Sequence, residues 1–130
     1  MARKPEEFNN HPASFPETTY RAVCKHVVDG DTVDVMIDLG LNKYAYETVR
    51  IKDIDTPEIF RPKDADEKQA GMAARDRVKE LILDQPVMIT TYKDKASFGR
   101  FLADVAYMDQ ETGEWTSLAN TLNNEGHAKE

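Results

Sequence analysis

Two short acidic segments hold the residues best suited to chemistry in this chain. The first, Asp29-Gly30-Asp31-Thr32, separates two apolar runs, and the second reads Asp55-Thr56-Pro57-Glu58. Proline stops a strand and fixes the chain direction, so the second segment is expected to offer Asp55 and Glu58 from a sheet edge. If the two segments meet in space, their carboxylates could hold a hard cation.

An arginine, Arg50, stands just before the second acidic segment. A guanidinium binds phosphate oxygens through paired donors, so Arg50 could hold a phosphate that a bound cation polarises. Strand-end charges are also ordinary, and Arg50 could simply pair with Glu47 or Asp53. The carboxylates have plain interpretations too, because aspartate is common in turns and glutamate is favoured at the start of a helix. These residue types are therefore compatible with phosphate chemistry, but they do not establish it over the plain structural interpretations.

Length, composition and charge narrow the class of protein. The chain has 130 residues, 40% hydrophobic and 32% charged, which indicates a single soluble globular domain. No run approaches the ~18 apolar residues of a membrane span, so no membrane association is expected. The net charge of -7 argues against a broad basic surface for nucleic acid. It does not argue against a cation site, because clustered carboxylates count as negative in that sum.

The N-terminal residues differ from the rest of the chain. Residues 1–19 are expected to form a flexible arm, and residues 20–130 the folded domain. The polar, proline-containing start has no apolar core for a signal peptide, so the chain as written is expected to be cytoplasmic, or secreted if a leader has been removed. Cys24 is the single cysteine and lies in an apolar run, which favours a small buried hydrophobic residue over a reactive thiol.

The periodicity predicts mostly strands and one long helix. A strand-like run that begins at Tyr20 precedes the Asp29-Gly30 turn, and alternating apolar residues from Val33 to Leu39 after it are typical of a strand with one buried face. A strand from about Tyr44 to Ile54 would place Arg50 and Ile51 on opposite faces. Helical spacing of apolar residues predicts a helix over 66–83, weakened by Gly71. Strands around 87–91 and 101–105 and a short helix around 118–122, ending near Gly126, complete the set.

These elements indicate an α+β fold that is mainly β. Three strands, a helix, two strands and a final helix can close into a five-stranded OB-fold Greek-key barrel with two to three flanking helices. Other α+β arrangements of the same elements are also compatible with the pattern.

The motifs together resemble the staphylococcal-nuclease-like (thermonuclease) family. The similarity runs from about Val27 to Lys129, and each of its motifs is weak by itself. Their order and spacing make chance an unsatisfactory explanation. The quoted motifs are Asp29-Gly30-Asp31-Thr32-Val33, Arg50 with Asp55-Thr56-Pro57-Glu58, Phe98-Gly99-Arg100 with Leu102-Ala103, and Gly126-His127-Ala128-Lys129.

The resemblance implies an OB-fold phosphodiesterase that uses Ca²⁺ to cut DNA, and also RNA, with little sequence preference. Its calcium ligands would be the carboxylates of Asp31 and Asp55 and the backbone carbonyl of Thr56. Its catalytic residues would be Glu58, Arg50 and Arg100. The resemblance implies that Glu58 is the general base or orients the attacking water. It implies that Arg50 and Arg100 bind the scissile phosphate.

The sequence also departs from the best-known members of the family. Ala96, Ser97 and Phe98 replace an acidic residue, a lysine and a tyrosine before the glycine-arginine pair, so substrate preference is expected to differ. The alternative interpretation is a noncatalytic OB-fold module that binds nucleic acid or protein. Retention of Arg50, Glu58 and Arg100 favours the enzyme. A structural calcium site ranks third. The expected partner is a DNA or RNA substrate, no obligate protein partner is evident, and a monomer is expected.

Overall fold

Six strands and two helices make up the described part of the chain, residues 17–97 and 100–129 of this computed structural model. The strands run antiparallel except where the sheet closes on itself. The bounds are β1 Glu17–Asp29, β2 Thr32–Gly40, β3 Lys43–Ile51, α1 Ala65–Ile82, β4 Pro86–Ser97, β5 Arg100–Met108, β6 Trp115–Ser117 and α2 Leu118–Asn124.

The sheet closes into a barrel through a short parallel pairing between β3 and β5. The strand order is β3-β2-β1-β4-β5-β6, and Val49, Arg50 and Ile51 pair with residues 101–103 of β5. Five strands therefore form a closed barrel, and β6 extends β5 on the outside. Closure removes sheet edges where it occurs. The predicted α+β, mainly β OB-fold barrel is confirmed, with two flanking helices among the described residues.

Alternation along the strands builds the core inside this barrel. Val33, Val35 and Ile37 of β2 are buried, whereas the residues between them are partly or fully exposed. The same alternation buries one face of each barrel strand, because successive side chains point to opposite sides. Helix α1 covers one end with Val78 and Ile82. The predicted period-2 pattern of β2 is confirmed.

Helix α1 has a clear start and a tight contact at its glycine. Asp64 is the N-cap, and its side chain accepts the backbone N–H of Glu67. A Cβ atom on Gly71 would lie 2.5 Å from the carbonyl oxygen of Pro57 and 2.9 Å from a side-chain carbon of Ile59. The sequence marks Gly71 as a weak point in the helix. In the structure this glycine lets α1 lie directly against the second acidic segment.

The third strand ends earlier than the sequence predicts. β3 stops at Ile51, whereas the alternating pattern predicts a strand to Ile54. Lys52 and Asp53 form a turn, and Asp53 has a left-handed backbone with φ of 70°. Strand geometry is impossible at that φ, and an aspartate tolerates it better than most residues. The turn moves the second acidic segment off the sheet and onto the end of the barrel.

The C-terminal part of the chain returns to this same turn. Asn123 of α2 donates its side-chain N–H to the carbonyl of Asp53 at 3.0 Å, and the N–H of Lys129 donates to the carbonyl of Asp55 at 2.6 Å. Gly126 has a φ of 83° just past α2, which confirms the predicted helix end. The short strand β6 just before α2 lacks a strong sequence pattern and was not predicted.

Two predicted features, the N-terminal arm and one family motif, include residues that the structure does not describe. β1 begins at Glu17, within the predicted arm of residues 1–19, and residues 1–16 lie outside the described residues. Phe98 and Gly99, which belong to one of the family motifs, also lie outside them. Cys24 is fully buried, as expected for a small hydrophobic residue. Neither α1 nor α2 is long and apolar enough to cross a membrane.

Candidate active site

The two acidic segments meet at one end of the barrel. The backbone N–H of Thr56 donates to Oδ2 of Asp31 at 3.0 Å, although the two residues are 25 positions apart. A Cβ atom on Gly30 would lie 2.7 Å from Thr56 and 2.8 Å from Ala74 of α1. Only a residue without a side chain fits there, so Gly30 sets how closely the first segment approaches the second.

Arg50 lies at the junction of the two segments. Its Nη2 atom is 3.5 Å from Oδ2 of Asp31 and 3.5 Å from Oδ1 of Asp55. Its Nη1 atom donates to the carbonyl oxygens of Ile51 and Ile54, each at 2.6 Å. The guanidinium therefore fixes the turn that follows β3 and also faces both carboxylates. Neither of the sequence alternatives for Arg50, a pair with Glu47 or with Asp53, describes these contacts.

A hydrogen bond within one turn joins Asp29 to Asp31. Oδ1 of Asp29 accepts the N–H of Asp31 at 3.0 Å, which is the turn role that the sequence suggests for Asp29. Burial, and then hydrogen bonding and repulsion with Asp31, raise the pKa of Asp29 to about 6.

Burial also acts to raise the pKa of Asp31, but stronger opposing interactions win. Hydrogen bonds from Asp29, from the Thr56 N–H and from Thr32, together with the positive charge of Arg50, hold the pKa of Asp31 below its usual value. Asp31 therefore stays ionised near neutral pH, which is the state that a cation ligand requires.

Thr32 and Arg100 lie on the strands next to Arg50 and add two polar side chains beside Asp31. The Thr32 hydroxyl donates to Oδ1 of Asp31 at 3.0 Å, and Nη1 of Arg100 donates to the same hydroxyl oxygen at 3.4 Å. Arg100 starts β5, beside the β3 residues that include Arg50. Arg50 thus faces Asp31 directly, whereas Arg100 is linked to Asp31 through the Thr32 hydroxyl. Thr32 belongs to one of the sequence motifs, but no role was predicted for it. Its position directly after Asp31 is the signal that could have predicted this contact.

Glu58 lies at the edge of a groove beside the carboxylates. Its side chain is exposed, and it follows Thr56 by two residues. The groove is formed by the start of α1 and by the segment that follows α2, and its lining includes Arg61, Lys63, His127 and Lys129. The lining also contains Asp64, Asp66 and Glu67, so the groove carries side chains of both charges, and the sequence does not single these residues out as a group.

The oxygen atoms of the site suit a hard cation. Asp31 and Asp55 both face one nitrogen of Arg50, and Thr56 is held against Asp31 by its N–H. Thr56 Oγ1 is buried with no hydrogen-bond partner among residues 17–97 and 100–129, and a Cβ atom on Gly30 would lie 2.9 Å from it. Carboxylate, carbonyl and hydroxyl oxygens are the ligands that Ca²⁺ prefers. Within the same residues no group of three or more His, Cys, Asp or Glu side chains is arranged to hold a metal ion.

The closed barrel and this site define a class of protein, an OB-fold with carboxylates and arginines gathered at one end. The family model of the staphylococcal nuclease homologues matches residues 48–130, which is well over half of the chain. The chain therefore belongs to the staphylococcal nuclease homologue family. The matched part contains Arg50, Asp55, Glu58 and Arg100. No curated protein sequence matches the chain closely enough to add a named relative.

Proposed function

We propose that this protein is a calcium-dependent nuclease that hydrolyses phosphodiester bonds of DNA, and also of RNA, with little sequence specificity. The observation that carries the proposal is the position of Arg50, whose guanidinium faces both Asp31 and Asp55 at 3.5 Å. Membership of the staphylococcal nuclease homologue family supports nucleic acid as the ligand. The juxtaposition of a phosphate-binding group with two carboxylates suits an enzyme better than a binding module.

Asp31, Asp55 and the carbonyl of Thr56 would hold the calcium ion. When bound, Ca²⁺ would polarise a phosphate oxygen of the substrate and offset part of its negative charge. Asp31 is prepared for this role because its hydrogen bonds keep it ionised. Asp55 is more exposed, with 68% of its side chain accessible, so it can adjust its position to a ligand.

Arg50 and Arg100 would bind the scissile phosphate between them. Each guanidinium can donate two hydrogen bonds to phosphate oxygens, and both contacts strengthen as negative charge builds on those oxygens. Arg50 is anchored to two backbone carbonyls, so little movement is needed when the substrate arrives. Anchoring of this kind lets a contact favour the transition state over the free substrate.

Glu58 would orient a water molecule, or accept its proton, as the water attacks phosphorus. Pro57 and the contact of Gly71 with its carbonyl fix the backbone next to Glu58. The groove beside Glu58 has Arg61, Lys63 and Lys129 in its lining, which would attract the neighbouring phosphates of a nucleic-acid strand.

The test is a cleavage assay on single-stranded and double-stranded DNA and on RNA, with Ca²⁺, with Mg²⁺ and with chelator. Cleavage is expected with Ca²⁺ and is expected to fall by about 10²–10⁴-fold in Glu58→Gln. Glu111→Gln removes the same charge from an exposed loop outside the site and should leave the rate unchanged. DNA binding without cleavage under every condition would instead favour the noncatalytic OB-fold module.

A further inference from the structure

One stretch of the barrel wall keeps an unpaired edge. β3 pairs with β2 along its length, but its pairing with β5 covers residues 49–51. Residues 43–48 therefore have no strand on their other side among the residues that the structure describes. Such an edge presents a row of backbone N–H and C=O groups that can pair with another strand.

Large apolar side chains are exposed along this edge. Tyr44 and Tyr46 have 62% and 60% of their surface accessible, and Leu41 at the tip of the β2–β3 hairpin has 93%. Met36, which pairs with Tyr46 across the hairpin, is also exposed. Apolar side chains that cluster beside an unpaired strand edge indicate a surface for association.

The direction of the backbone groups can be read from the strand's last residues. Ile51 donates its N–H to Asp31 on the β2 side, and Lys52 donates to Ala103 on the β5 side. Because backbone groups alternate along a strand, those of Tyr44 and Tyr46 point to the unpaired edge. A strand that pairs there must therefore place its own edge-facing residues opposite these tyrosines.

The sequence of this edge is complementary to itself. Residues 43–47 read Lys-Tyr-Ala-Tyr-Glu, with opposite charges at the two ends and alanine in the middle. In an antiparallel pairing with a second copy, centred on Ala45, Tyr44 lies opposite Tyr46 and Lys43 lies opposite Glu47. Each of these pairs occurs twice. Facing residues share one side of the sheet, and aromatic and opposite-charge pairs stabilise such a pairing.

We propose that a second copy of this chain pairs with residues 43–47 in this register, giving a two-fold symmetric dimer with one sheet shared by two barrels. Of the antiparallel registers that place tyrosine backbone groups opposite each other, this is the one that joins both Lys43–Glu47 pairs. Each facing Tyr44–Tyr46 pair exchanges backbone hydrogen bonds. The symmetry is that of most protein dimers, in which one patch pairs with itself. The proposal replaces the monomer expected from sequence and does not depend on the proposed nuclease activity.

The candidate active site stays clear of this interface. Arg50 is five residues along β3 from Ala45, which is ~17 Å at ~3.4 Å per residue. A dimer of this kind therefore carries two separate sites, one on each side of the two-fold axis. Neither Lys43 nor Glu47 belongs to the site, so variants at these positions report on association without removing a catalytic group.

A charge exchange tests the register. Lys43→Glu and Glu47→Lys each place like charges opposite one another twice, and each should weaken self-association by about tenfold or more in sedimentation velocity over a concentration series. The double variant Lys43→Glu/Glu47→Lys restores opposite charges and should restore the dimer. Lys68→Glu on the exposed side of α1 is the matched control and should dimerise like the unchanged protein. A monomer at every concentration, or a dimer that ignores the single reversals, overturns the proposal, as does a double variant that stays monomeric.

A cysteine pair tests the two-fold centre independently of charge. Ala45→Cys brings two thiols face to face across the axis, where a disulfide fits between directly opposed strand residues. Mild oxidation should give a covalent dimer, and native Cys24 is buried and should not compete. Thr48→Cys places its two thiols about six residues apart along the sheet, ~20 Å, and should stay uncoupled. Equal cross-linking of the two variants would contradict the register.

Discussion

Thr56 donates its backbone N–H to the carboxylate of Asp31 at 3.0 Å, and this bond joins the two acidic segments into one site. The bond also aligns the Thr56 backbone beside a carboxylate that stays ionised. Two segments that are separate in the sequence thus behave as one structural unit.

Asp31→Asn is expected to abolish detectable calcium binding while the barrel stays folded. The amide keeps the shape of the side chain but removes the charge that Thr56, Thr32 and Arg50 surround. Isothermal titration with Ca²⁺ measures the loss, and circular dichroism checks the fold. Asp34→Asn, on the outer face of β2, is the matched control. Calcium affinity equal to that of the unchanged protein in Asp31→Asn would remove Asp31 from the proposed ligands.

Arg50→Lys is expected to lower the cleavage rate by about 10²–10³-fold. An ammonium group cannot replace the planar guanidinium, which contacts two carbonyls and two carboxylates at once. Rate measurements at saturating substrate separate the loss in turnover from any loss in binding. Arg75→Lys on α1 makes the same substitution outside the site and is the matched control. A rate within a few-fold of the unchanged protein would show that a single charge suffices.

Gly71→Ala is expected to destabilise the protein by about 1–3 kcal/mol, the usual range for overpacking. An exposed helical glycine would respond in the opposite direction, because alanine favours a helix by ~1 kcal/mol. Here the new Cβ would lie 2.5 Å from the Pro57 carbonyl, so the segment that carries Glu58 must shift. Urea unfolding measures the stability, with Gln69→Ala on the exposed side of α1 as control. An increase in stability would contradict the close contact.

Glu125 gives a pH-dependent contribution to stability through Arg77. Hydrogen bonds from Arg77 to both of its carboxylate oxygens, at 2.8 and 2.9 Å, lower the pKa of Glu125 below its usual value. The stabilisation is therefore present above the unfolded-state pKa of ~4.3 and is lost as pH falls through the lower folded pKa.

The size of this effect is small because both side chains are about one-third exposed. We expect about 0.2–1 kcal/mol between the unchanged protein and Glu125→Gln at neutral pH, decreasing with added salt. Thermal unfolding of the two proteins across acidic pH should show curves that converge at the acid end. Parallel curves at every pH would show that the pair contributes nothing that titrates.

Cys24 is expected to resist thiol reagents until the chain unfolds. Burial raises the pKa of its thiol to about 11, so little thiolate forms at pH 8. Labelling with a chromogenic disulfide reagent should be slow in buffer and fast in urea. Fast native labelling would mean that the barrel opens often at β1.

Much of the fold was predictable because strand alternation and helical spacing are local patterns. The buried face of β2 was predicted from the alternation of Val33, Val35 and Ile37. The end of α2 was predicted from Gly126. The end of β3 was not predictable, because the alternation continues to Ile54 while the turn at Asp53 depends on Arg50 and on Asn123. Those partners lie in other parts of the structure.

The sequence motifs point to residues that the structure brings together, but they do not predict how those residues contact one another. Motifs named Asp31, Arg50 and Asp55, and the structure brings these three together. No sequence pattern predicts that Thr32 links Asp31 to Arg100, or that only a glycine fits at position 71. Both facts depend on how closely distant segments approach, which periodicity does not encode.

The hydrogen bond from Lys129 to the carbonyl of Asp55 also has a consequence for synthesis. A ribosome makes the chain from its N-terminus, so both acidic segments emerge long before residue 129 does. During that interval the carbonyl of Asp55 lacks its partner and the turn beside it is held from one side. A nascent chain thus carries every proposed ligand and still has an unfinished site. For a proposed nuclease made near nucleic acid, that order delays a complete active centre until translation of this domain is nearly over.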